Sequence, residues 1–114
     1  MNEKAFQDYY PENVSCCYGC GRLNEQGLQI KSYWDGEETV CTYTPREYHI
    51  AIPGYVYGGL IASLIDCHCT GTAAAAAYKA EGRSMDTLPT GSSSPGMMRI
   101  MPVIHCMWSS WALP

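Results

Sequence analysis

Between Glu47 and Lys79 the chain carries one formally charged side chain, Asp66, set inside the run YGGLIASLIDCHCT of residues 57–70. A carboxylate buried there without a partner would be expensive, so its position needs a reason. Residues 59–80 read as one long helix. Leu60, Ile61, Leu64, Ile65 and His68 recur at helical spacing and are expected to form its core face. At 100° per residue, Asp66 points about 170° away from that face. Its neighbours there, Ala62, Ser63, Cys69, Thr70, Ala73 and Ala77, are all small. A stripe of small residues lets another backbone approach closely, so this second face is expected to be covered too. The segment YKAEGR closes the helix with late positive charge and a stop at Gly82. The helix has the length of a membrane span, but Asp66, His68 and its Thr, Gly and Ala content predict a buried soluble helix.

Composition narrows the function classes. The chain has 114 residues, the length of one small domain. A net charge of -4, a pI near 5.2 and the lack of any basic run argue against a nucleic-acid surface. The start, MNEKAFQDYY, mixes charges and has no apolar signal-peptide core, which predicts a cytoplasmic protein. The seven cysteines are an odd number, and reduced thiols are the expected state. Cys17-Tyr18-Gly19-Cys20 has the spacing of half a zinc site. Cys67-His68-Cys69 lies mid-helix and does not offer the second pair, while no βαβ context supports redox use. The expectation is no metal and no cofactor, with the thiols acting as small hydrophobes.

Other segments are less distinctive. A short helix is expected around Glu3–Tyr9, ending before Pro11. The loop CCYGCGRLNEQGL follows, and in it Asn24 either turns the chain or faces a ligand. Leu28, Ile30 and Tyr33 or Trp34 alternate before the Asp35-Gly36 pair, and Val40 and Tyr43 follow it, which predicts a hairpin. Pro53-Gly54 and Gly58-Gly59 punctuate the loop before the helix.

One constellation points to chemistry. Gly58 and Gly59 sit at the helix start, where amides lack intrahelical partners and the macrodipole is positive. Without a Cβ, they either make a tight turn or let a ligand oxygen reach those N–H groups as an oxyanion hole. Asp66 is a candidate nucleophile or general base, and Thr70 lies one turn further on the same face. Tyr57 is placed to pack here or to contact a ligand through its hydroxyl. Seven residues of helix separate Gly59 from Asp66, roughly 10 Å at 1.5 Å per residue. One carbonyl cannot meet both on a single helix, so the acid must come from a second copy lying antiparallel across a two-fold axis.

Residues 10–90 resemble the hotdog-fold thioesterases of the phenylacetate-degradation type. That family shows Cys-x-x-Cys-Gly, then Asn-x-x-Gly-Leu, a hairpin, and Pro-Gly-x-x-His-Gly-Gly followed by an acid seven residues later. Cys17, Cys20, Gly21, Asn24, Gly27, Leu28, Pro53, Gly54, Gly58, Gly59 and Asp66 fall on this pattern. The resemblance implies an α+β hotdog, a long central helix wrapped by an antiparallel sheet, in dimers or tetramers that hydrolyse acyl-CoA or another acyl thioester. It implies polarisation of the thioester carbonyl by the Gly59 N–H, attack or base catalysis by Asp66, and assistance from Thr70, with Gly58, Tyr57 and Asn24 as substrate contacts.

Two departures stand out. Tyr57 replaces the family's His. After Thr90 the family's last three strands have no counterpart. Residues 91–114 hold one charged residue, Arg99, with four of the six Met and two of the three Trp. That break predicts a hotdog part over 1–90 and an atypical apolar tail, foreign to the fold, as from a shifted reading frame, a chimeric junction or an assembly error. The alternatives are a truncated hotdog that binds acyl groups or partners without turnover, and a hotdog dehydratase or hydratase using His49 or His68. His68 faces away from Asp66, which disfavours the latter.

Overall fold

A computed structural model describes residues 4–85 of the chain. The expected tail, 91–114, lies outside the described residues.

The long helix, α1, runs from Gly58 to Ala80. Its end is dictated by Gly82, whose φ of 67° only glycine adopts without strain. There the Gly82 N–H bonds the Lys79 carbonyl at 3.0 Å and the Arg83 N–H bonds that of Tyr78 at 3.0 Å, a Schellman stop. Apolar residues lie all round α1, so its own sequence does not choose a buried side. Packing chooses Leu60, Cys67, Gly71 and Ala75, which are buried, with Leu64 and His68 half-buried beside them. Ile61 and Ile65, expected in the core, are instead 48% and 47% exposed. The core side is thus rotated away from them, toward Cys67 and Gly71. On the small-residue face Asp66 and Ala62 are exposed, while Ser63, Cys69, Thr70, Ala73 and Ala77 are half-buried, so the described chain covers that face only in part.

The packing that makes this choice comes from the first third of the chain. The short helix expected around Glu3–Tyr9 is a 3-10 turn over Phe6–Tyr9, and it lies against α1. Gln7 is fully buried; its Oε1 accepts the Ser32 N–H at 2.8 Å and its Nε2 donates to the Ser32 hydroxyl at 3.2 Å. The Phe6 N–H donates to the Ser32 carbonyl at 2.9 Å. Gly71 gives the Gln7 amide its room, since a Cβ there would fall 2.8 Å from Nε2.

The expected hairpin forms, but it is short. β1 (Tyr33–Asp35) pairs antiparallel with β2 (Glu38–Val40) across Gly36-Glu37, with Trp34 opposite Thr39. Residues 28–32 were expected to extend the first strand and do not. Gln29 takes a φ of 57°, and its side-chain amide donates to the carbonyls of Gly21 (2.8 Å) and Asn24 (2.6 Å). The Leu28 and Ile30 N–H groups bond the carbonyls of Tyr18 and Gly19, so this stretch pairs with the cysteine loop. Trp34 sits edge-on to Phe6 and under the Lys79 ammonium, and the Thr39 and Thr72 hydroxyls share a 2.8 Å bond. These contacts seat the hairpin on the C-terminal half of α1. The core therefore lies between α1 and the cysteine loop, with Cys20, Ile30 and Cys67 at its centre and Tyr10, Leu28, Tyr43 and Leu64 around them.

Candidate functional site

Ahead of α1 the chain makes a small loop of its own. Pro53 and Gly54 form a turn in which Gly54 has a φ of 91° and the Tyr55 N–H bonds the Ile52 carbonyl at 2.9 Å. Ile50 pairs with Val56, and the Tyr57 N–H reaches the His49 carbonyl at 3.0 Å. This delivers Tyr57 as the residue before the helix, where its carbonyl accepts the Leu60 N–H at 3.1 Å. Gly58 and Gly59 occupy the first two helical positions, whose N–H groups have no intrahelical acceptor.

Tyr57 is exposed, and its ring folds over Gly59. A Cβ on Gly59 would lie 2.6 Å from the Tyr57 hydroxyl and closer still to the ring. Glycine is thus required for the ring to sit there, and the phenol stands beside the free amides. Asp66 is exposed two turns along, and its carboxylate makes no hydrogen bond or ion pair among the described residues. Thr70 is half-buried one turn further. At 100° per residue, Gly59, Ala62, Asp66, Thr70 and Ala73 fall within an arc of about 80° on α1.

The other polar candidates are used elsewhere. The Asn24 Oδ1 accepts the Gln26 N–H at 3.1 Å and its Nδ2 donates to the Cys16 carbonyl at 3.2 Å, so this side chain builds the turn. His68 shares a 3.0 Å bond with the Ser32 hydroxyl on the packed side of α1. His49 accepts the Arg46 N–H at 3.0 Å and stacks edge-on with Tyr48. A groove of about 680 Å³ lined by Phe6, Trp34, Tyr78, Lys79 and Arg83 lies at the far end of α1. Its position near Tyr78 is about 28 Å along the helix axis from Gly59, too far to serve the same carbonyl.

A second cluster was half foreseen: the spacing of Cys17 and Cys20 is that of half a thiolate site, but Cys67 was not expected to join them. The Sγ atoms of Cys17, Cys20 and Cys67 all lie within 4.8 Å of one another. Cys67 and Cys69 project about 200° apart on the helix, so only one of them can face the loop, and it is Cys67. The hydrogen bond between Cys67 and Cys20 lowers the Cys20 thiol to about 7, against the opposing effect of burial. The same bond, together with burial, pushes the Cys67 thiol up. Burial likewise raises the Tyr10 phenol alongside them.

In the reduced chain, treated with a chelator, one thiolate is therefore expected to titrate near pH 7 by its ultraviolet absorbance. Replacing Cys67 with Ala should return that midpoint toward the ordinary thiol value of about 8.5. Because the folded value is depressed, the stability contributed by this thiolate is fully present above the unfolded thiol's range. It is lost as pH falls through about 7. An unchanged midpoint in Cys67→Ala contradicts the shared bond.

No protein-family model matches this chain, and neither a curated protein nor a solved structure shows significant similarity to it.

Proposed function

We propose that this chain is a hotdog-type acyl-thioester hydrolase, cytoplasmic, acting on acyl-CoA or a related thioester as a homodimer or a pair of such dimers. One observation carries the reading. Gly59 with its free amide, Ala62, and Asp66 with its unpartnered carboxylate share one face of α1, open at Ala62 and Asp66 and overlain at Gly59 by the Tyr57 ring.

Two copies of α1 laid antiparallel through that face have a natural register. Placing the two-fold axis between Ala62 and Ser63 sets Gly59 of one copy opposite Asp66 of the other, and the reverse. Both residues at the axis are small, as a close crossing demands. Tyr55 and Val56, exposed just ahead of α1, supply apolar surface for a partner, whereas the exposed Ile61 and Ile65 lie about 100° or more round α1 from Asp66. In such a dimer a thioester carbonyl accepts the Gly59 N–H at the positive end of α1. Asp66 of the facing copy either attacks the carbonyl carbon, expelling thiolate and leaving a mixed anhydride that water then hydrolyses to the acid and free Asp66, or acts as a base. As a base it takes a proton from a water whose oxygen attacks the carbonyl carbon as the C–S bond breaks and thiolate leaves. Thr70, one turn from Asp66, is positioned to hold the water.

α1 is also long and apolar enough to cross a membrane, by length and composition. Its bonds through Thr72 to Thr39 and through His68 to Ser32 tie it to the rest of the fold and favour the soluble reading.

A second reading, an acyl-binding protein without turnover, is favoured by Tyr57, whose ring lies where a substrate carbonyl would approach Gly59. Thiol release from short acyl-CoA substrates separates the two. The hydrolase reading predicts catalytic release by a species that sediments as a dimer or larger. Saturable binding without release establishes the binder and ends the hydrolase.

A further inference from the structure

We propose that Cys17, Cys20 and Cys67 form a site for one thiophilic divalent cation of the zinc type, pinning the cysteine loop to α1. Tetrahedral zinc with Zn–S bonds of about 2.3 Å holds its sulfurs about 3.8 Å apart. The three Sγ atoms already lie within 4.8 Å of one another, so closure needs movements of about an ångström or less.

The backbone is arranged around this convergence. Cys17 and Cys20 stand on a turn closed by the Gly21 N–H on the Cys17 carbonyl at 2.8 Å, the Cys-x-x-Cys half of a thiolate site. Gly19 lets the turn press onto the helix, since a Cβ there would lie 2.5 Å from the Cys67 sulfur. Gly21 is equally constrained, with a Cβ falling 2.5 Å from the Ser15 carbonyl oxygen. Cys20 and Cys67 are buried against Ile30 and Leu64, while Cys17 is exposed, which leaves an approach from solvent. Soft thiolates in this number favour zinc over calcium or magnesium. On binding, three S–H groups release their protons to solvent and three sulfur–metal bonds form. The dication and three thiolates leave a net charge of -1, and water takes the open fourth position. The cluster lies on the packed side of α1 and does not depend on the hydrolase reading.

The test uses the reduced full chain, stripped with a chelator and titrated with cobalt(II) alone. A thiolate-to-cobalt charge-transfer band should appear, saturate at one ion per chain and disappear on adding zinc(II). Cys17→Ser and Cys67→Ala should lose the band, whereas Cys16→Ser and Cys69→Ser should keep it. No band, or a band that survives Cys67→Ala, overturns the site. Should the Cys67 variant fail to fold, alkylation of the unaltered chain decides. Zinc should slow modification of Cys17 and leave that of adjacent Cys16, also exposed, unchanged. Equal rates at Cys17 with and without zinc refute the proposal.

Discussion

Asp66→Asn is expected to leave a folded oligomer that no longer releases thiol from acyl-CoA. The carboxylate is exposed and makes no hydrogen bond or ion pair among the described residues, so the fold has no use for its charge. Asparagine keeps the size and polarity of the side chain, and a change on an exposed helix position moves stability by no more than about 0.5 kcal/mol. What asparagine cannot do is attack a carbonyl as a carboxylate or take a proton from water. Loss of a general base removes about 10²- to 10⁴-fold of rate. The pair of measurements is therefore thiol release and sedimentation on the same sample. Undiminished turnover in Asp66→Asn takes the residue out of the mechanism. A collapse of the oligomer instead assigns Asp66 a structural role.

The second large effect falls on stability. Ile30→Ala should destabilise the domain by about 2 to 5 kcal/mol, the range for truncating a fully buried aliphatic side chain. Ile30 has no exposed surface and sits between Cys20 and Cys67, where the cysteine loop meets α1. Its N–H bond to Gly19 fixes the backbone on either side, so the surroundings have little freedom to collapse into the space. Small domains have only about 5 to 15 kcal/mol in total, and this loss is a large share of it. The urea midpoint measures it. Ile61→Ala, by contrast, removes a side chain already half exposed and should have a much smaller effect on the folding of a single chain. Equal midpoints for the two variants would contradict the assignment of the core.

That contrast shows where the sequence was informative. The length of α1, its glycine stop and the Asp35-Gly36 hairpin follow from local rules, and each is present. The buried side of α1 does not follow from local rules. Its apolar residues surround the axis, so the choice falls to distant partners: Gln7 against Gly71, Ser32 against His68, Cys20 against Cys67. Residues 28–32 alternate like a strand, yet Gln29 turns the backbone to a positive φ, for which glutamine gives no warning. The thiol cluster was half legible. Cys17 and Cys20 announce themselves by spacing, while Cys67 joins them only because the loop lies on that side of the helix. The elements of the proposed hydrolytic site, Gly58-Gly59 and Asp66, could be read together because they are close in sequence on one helix, on a face about 100° round from Cys67.

Mixing two inactive variants asks whether the Asp66 of one subunit acts with the Gly59 of its partner. Asp66→Asn removes the acid. Gly59→Pro removes the amide donor at a helix position where proline is tolerated, with the Tyr57 ring moving aside. Each variant alone should be inactive. Unfolded together and refolded at equal concentration, half the dimers pair the two chains, and each of these holds one intact site, so about a quarter of the parental thiol release should return. Activity that stays absent in mixed dimers verified by mass would contradict the account.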